Sequence, residues 1–108
     1  MVILDLTPIK DIETDGAIFS IAGTKYYEKT VKNLKENTKV YLVLEKNKFD
    51  SYSIVIMTKD KQKCGYVPSL LTALFKRVFK QREDGVLLCI CKIYKIKDSN
   101  IIVYVKSC

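Results

Sequence analysis

The sequence predicts a mainly β domain: a small, partly open, six-stranded antiparallel β-barrel with one clear helix and one short helix. Apolar, β-branched runs at 17–22, 39–44, 52–57, 86–96 and 101–105 are separated by Gly, Asn, Asp or charged residues, which is the pattern of strands and turns. Most of the connections are short, and short connections favour antiparallel neighbours. One stretch, 68–79, instead repeats its apolar residues at helical spacing. A helix lying over a β-rich chain of this size fits a partly open barrel, and closure removes edges that would otherwise pair with other chains.

Along the chain, residues 1–15 start apolar and end acidic (Asp11, Glu13, Asp15), predicting a first strand and a loop that belong to the same domain as residues 16–108. Gly16 opens the next strand, which ends at Gly23. Residues 28–38 are polar and lysine-rich, with Val31 and Leu34 three apart, as in one or two helical turns with one buried side. Strands are expected at 39–44 and 52–57, joined by a polar loop with Phe49 inside it, and a further strand ends at Val67. Pro68 suits the first turn of a helix, where its missing N–H costs nothing. Leu70, Leu74 and Val78, with Leu71, Phe75 and Phe79 one position on, form one apolar stripe, with Lys76, Arg77 and Lys80 on the other side. A C-terminal hairpin then turns at Asp98-Ser99-Asn100.

The 108 residues fit a single domain able to fold around its own core. No apolar run is long enough to cross a bilayer, and the first residues lack the pattern of a secretory leader, so a cytoplasmic protein with no membrane partner is expected. Nineteen Lys and Arg against twelve Asp and Glu give a net charge of +7, which attracts polyanions. There is no histidine, which excludes Ser–His and Cys–His nucleophile schemes. Of the four cysteines, Cys89 and Cys91 alternate on one strand while Cys64 and Cys108 are distant; this is not the two-pair spacing of a zinc site, and buried core thiols are the expectation. No phosphate-gripping Gly-rich loop is present, and no Glu is followed two positions later by Lys, as one common nuclease pattern requires. The chain is therefore expected to be no enzyme and to use neither metal nor cofactor.

Two segments stand out from core and ordinary surface. In Lys25-Tyr26-Tyr27, an extended backbone would send adjacent aromatics to opposite sides, so one ring would face outward beside a lysine. A tyrosine there offers a flat face for a base and a hydroxyl for phosphate. In Lys46-Asn47-Lys48-Phe49-Asp50, the aromatic in a basic loop is either a local plug or a stacking platform. Asn47 and Asp50 are residues that close turns through their own backbone, and Asp50 could also accept a hydrogen bond from a base or a sugar hydroxyl.

Three blocks in order resemble the HIRAN domain: Gly23-Thr24-Lys25-Tyr26-Tyr27, then the run from Leu44 through Lys48-Phe49-Asp50 to Ile54, then Cys64-Gly65-Tyr66-Val67-Pro68. The resemblance spans residues 16–106. It implies a small barrel of OB-like shape that binds nucleic acid, grips single-stranded DNA at a free 3′ end, serves DNA repair and works beside a helicase or nuclease. It further implies that Lys25 neutralises phosphate, Tyr26 and Tyr27 contact backbone and stack, and Phe49 holds the terminal base. Asp50 would bond the terminal hydroxyl or base, Tyr66 would line the rim, and Lys46 and Lys48 would add charge. The chain departs from the pattern at Lys48, where the family commonly has Pro, at Phe49 in place of Tyr, at Ser53 in place of Ala and at Ser69 in place of a basic residue. A protein-interaction or structural module of a larger assembly is the alternative, since fold alone does not fix function. A metal-dependent nucleic-acid enzyme is a weaker second alternative.

Overall fold

The computed structural model describes residues 16–46, 52–98 and 100–107. Among these the strands are β1 (Ala17–Ser20), β2 (Tyr41–Lys46), β3 (Tyr52–Met57), β4 (Lys63–Tyr66), β5 (Cys89–Lys97) and β6 (Asn100–Ser107). The helices are α1 (Glu28–Val31), entered through a 3-10 turn at Thr24–Tyr27, and α2 (Ser69–Val78). The domain is mainly β, as expected. The strand and loop expected within residues 1–15 lie outside the described residues.

The strands form two three-stranded antiparallel sheets, β1-β6-β5 and β2-β3-β4, and among the described residues they do not close into a barrel. Isolated bridges link them at both margins: Ala22 with Tyr66, and Lys39 with Lys92. The second link stays short because β2 changes neighbour. Asn37 and Val40 donate to Ile93 and Cys91 of β5, but from Leu42 onward the same edge bonds residues 85–87, through Leu87 N–H to Leu42 O and Leu44 N–H to Gly85 O. One continuous ladder therefore cannot run round the molecule.

Alternation along the strands puts Phe19, Leu42, Ile54, Ile56, Cys91, Ile93, Val103 and Val105 into one core between the sheets. In β5 the register shifts between Ile93 and Lys95, which leaves Tyr94 outside the ladder and turns Ile96 back toward the core. Cys64 and Cys91 are buried. Burial pushes the Cys64 thiol up to about 11 and that of Cys91 well above its ordinary value, so both pack as small apolar groups. Cys89 is partly buried and Cys108 lies outside the described residues.

Helix α2 starts after Pro68 and ends at Phe79, whose N–H still bonds the Phe75 carbonyl while its own backbone turns extended. Its apolar stripe is narrower than expected. Leu71, Phe75 and Phe79 are buried and Leu74 and Val78 flank them, but Leu70 is 81% exposed. The buried line is fixed by Phe75, whose ring meets Phe19 edge-on at 5.5 Å and Phe79 at 5.3 Å, and Leu70 falls beyond the edge of that line. Truncating Phe75 to Ala should accordingly cost about 3–5 kcal/mol. Leu70→Ala should stay within about 0.5 kcal/mol. Urea denaturation of the two variants checks both.

Candidate nucleic-acid interface

The site is assembled where β1 hands the chain to α1. Ala22 and Tyr66 exchange backbone hydrogen bonds of 2.8 Å in each direction. Gly65 makes this approach possible: a Cβ there would lie 2.6 Å from the Ala22 carbonyl oxygen and against the Ile21 side chain, and its φ of +151° disfavours any other residue. Gly23 then turns the chain in the left-handed region (φ 75°), and its carbonyl accepts from the Tyr26 N–H at 3.1 Å. The next residues therefore wind as a 3-10 turn.

That turn corrects the expected extended geometry of Lys25-Tyr26-Tyr27. The adjacent tyrosines are not on opposite sides of a strand, and neither is in the core. A 3-10 helix turns a third of a circle per residue, so Tyr26 and Tyr27 diverge while remaining on the surface. Tyr26 is 73% exposed, with the Lys25 ammonium 5.2 Å from its ring centre. Tyr27 is half-buried, and its ring lies 6.4 Å from that of Tyr66 at an interplanar angle of 50°.

Tyr66 is held in turn. Its hydroxyl donates to Glu45 Oε1 at 2.7 Å, and the Lys63 ammonium meets Glu45 Oε2 at 2.7 Å. One carboxylate on β2 thus ties down two side chains of β4 across β3. The hydrogen bonds from Lys63 and then Tyr66 hold the Glu45 carboxyl below its ordinary value. The same contact raises Lys63, and burial, reinforced by Glu45, raises Tyr66. At neutral pH the trio is a carboxylate, an ammonium and a neutral phenol, so Lys63 already has a counter-charge while Lys25 faces outward over Tyr26.

The structure therefore forms two pairs, Lys25 over Tyr26 and Tyr27 against Tyr66, joined through the 3-10 turn. Lys46 stands at the far end of β2, exposed and paired in register with Tyr52. Lys48, Phe49 and Asp50 lie outside the described residues. Four residues join the site that sequence reasoning did not single out. Glu45 and Lys63 are separated by eighteen positions and meet only through strand pairing, so nothing local marks them. Tyr52 carries the Lys76 ammonium 4.6 Å from its ring centre, which places a cation from α2 at the start of β3. Between Tyr52 and Tyr66 runs an open cavity of about 450 Å³, lined also by Ala22, Ser53, Ser69 and Thr72. Tyr52 alternates in phase with buried Ile54 and Ile56 yet is 47% exposed at the strand's end, so its period reads as core.

Because the folded carboxyl is depressed, the Glu45 contribution to stability is full above its ordinary value of 4.5 and is lost as pH falls through the lowered value. Glu45→Gln should flatten the fall in stability between about pH 5 and pH 3, as read by urea midpoints across that range.

The arrangement offers flat rings, one cation over an exposed ring and another above Tyr52. The HIRAN domain family model matches residues 17–105. No curated protein and no solved structure gives a significant match. The matched span takes in β1 to β5, most of β6, both helices and the whole Tyr27–Tyr66 contact, and with that extent of match the chain belongs to the HIRAN domain family, which implies a nucleic-acid partner.

Proposed function

We propose that the protein is a non-catalytic module that grips single-stranded DNA, at a free 3′ end, between the Tyr26–Tyr27 turn and the Tyr66–Tyr52 cavity. The observation that carries this reading is the Tyr27–Tyr66 contact, flanked on one side by the exposed Tyr26 with Lys25 over its ring and on the other by a cavity that reaches Tyr52 with Lys76 over its ring, all within the family-matched span. Tyr26 is exposed enough to stack on a base, and an ammonium over its outer edge can meet the neighbouring phosphate. Tyr27 and Tyr66 form a tilted wall, fixed by Glu45, against which a second base or a sugar can pack. Phe49 and Asp50, which precede Tyr52 in the sequence, would complete the grip on the terminal nucleotide. Lys46 and Lys48 would draw the strand in by charge.

This role needs no chemistry from the protein itself. Strand cleavage or translocation, where it accompanies binding, would come from a helicase or nuclease partner, in keeping with a part in DNA repair.

Each stacked base is worth about 1–3 kcal/mol, so Tyr26→Ala and Phe49→Ala should each weaken single-strand binding by roughly 5- to 150-fold. Fluorescence anisotropy with labelled oligonucleotides measures this. A 3′-phosphorylated oligonucleotide should bind less tightly than one with a free 3′-hydroxyl, because a phosphate would crowd the Asp50 carboxylate. Equal affinity for the two ends would remove end recognition and leave strand binding. Full retention of binding in both alanine variants would remove the site.

A further inference from the structure

The sheet that carries Tyr66 also carries a second groove. Residues directly opposite in antiparallel strands share a face, and two rows cross β2-β3-β4: Val43–Val55–Tyr66 and Tyr41–Met57–Lys63. Tyr41 and Tyr66 thus lie on one face, with backbones roughly 12 Å apart by strand spacing and rise. Val55 is buried but takes no part in the core between the sheets, which places it on this same outer face.

Two adjoining cavities, of about 610 and 430 Å³, meet at Tyr41, Thr58 and Lys59. Their lining is aromatic and apolar at the floor (Tyr41, Val43, Met57) and basic at the walls. Lys29 and Lys39 flank the first, and Lys61 and Arg82 flank the second. Two aspartates share these walls. Asp84 pairs with Arg82 at 3.2 Å, and Asp60 sits at the tip of the β3–β4 turn between Lys59 and Lys61. The Lys39 ammonium lies 5.4 Å from the Tyr41 ring centre, repeating the pairing of Lys25 with Tyr26. The groove shares no lining residue with the Tyr52–Tyr66 cavity, and the two are related through the common outer face of β2-β3-β4.

Resting on the strand-binding reading above, we propose that this Tyr41 groove is a second nucleic-acid track, which holds the phosphodiester backbone of the strand that trails away from the Tyr27–Tyr66 cleft. Charge complementarity selects the occupant. Lys29, Lys39, Lys59 and Lys61 outnumber the one acid not paired with an arginine, and their spread along an elongated groove matches a chain of phosphates better than a compact anion. A strand anchored in the first cleft would cross the outer face of β2-β3-β4, pass Tyr41 and leave between Lys59 and Lys61.

The test compares oligothymidylates of about four and about twelve nucleotides, within the usual range for small single-strand-binding modules. The full chain is used, with Lys39→Gln/Lys59→Gln as the groove variant and Tyr27→Ala as the cleft variant. The groove variant should bind the long probe about tenfold more weakly at low salt, and its salt slope should fall by about 1.4, at about 0.7 for each phosphate left without its lysine. Affinity for the short probe should change less than about twofold. Circular dichroism confirms that the variant folds, and Lys39→Arg/Lys59→Arg should restore the slope. Equal losses on both probes, or no loss on either, would overturn the track. Tyr27→Ala should weaken both probes alike. Should it weaken neither while the groove variant still loses only the long probe, the cleft fails and the groove stands alone as the binding surface.

Discussion

Gly65 sits where β4 passes so close to the end of β1 that a methyl group would meet the Ala22 carbonyl. Everything at the interface follows from that approach. It lets Tyr66 and Ala22 exchange two backbone hydrogen bonds, and these join the two sheets at one margin. Because Ala22 is pinned, the turn at Gly23 has a fixed starting point, and the 3-10 turn it opens must lie against β4. Tyr27 meets Tyr66 for that reason rather than through any strong attraction between the two rings.

The Glu45 carboxylate sets the second half of the geometry. A negative charge in a protein of net +7 would oppose a polyanion if it were free. Here both of its oxygens are taken, one by a phenol and one by an ammonium. It therefore orients rather than repels. The pair with Lys63 is partly exposed and adds little stability of its own. Its consequence is positional: the Tyr66 ring cannot rotate away without breaking a charge-assisted bond, so the wall opposite Tyr27 is set before any ligand arrives.

Much of the fold was legible because local pattern and tertiary role agree. The apolar alternation of 52–57 and 101–105, the turn at Asp98 and the proline entry to α2 each follow from short-range chemistry, and each stands where it was expected. The misreadings have specific causes. Period alone cannot tell Leu70 from Leu71, since both lie on a broad apolar arc and only the position of Phe19 decides which side is buried. The two-sheet arrangement depends on residues 85–87 taking over the edge of β2, a contact separated in sequence by more than forty positions. At the site, Lys25, Tyr26 and Tyr27 stood out as a basic, paired-aromatic segment of which at least one ring had to face outward, while Tyr66 was legible only through the family resemblance. Glu45 and Lys63 look like ordinary strand charges until the register brings them together. The 3-10 winding was hidden because a residue string with two tyrosines reads as extended, and only the left-handed backbone at Gly23 directs it otherwise.

The two faces of β2-β3-β4 differ in composition. The inner face is filled by Leu42, Ile54 and Ile56, and α2 adds Phe75 to the same core. The outer face has one buried residue, Val55, and around it a set of tyrosines, a methionine and lysines that a core would not tolerate. Tyrosine is suited to this position because its ring can pack on the sheet while its hydroxyl stays in reach of water or phosphate. A lysine over such a ring is held there by attraction to the ring face rather than by an acid. The outer face is thus rigid underneath and cationic above, which is what holding a flexible polyanion requires: the protein contributes the order, and only the strand has to give up its freedom on binding.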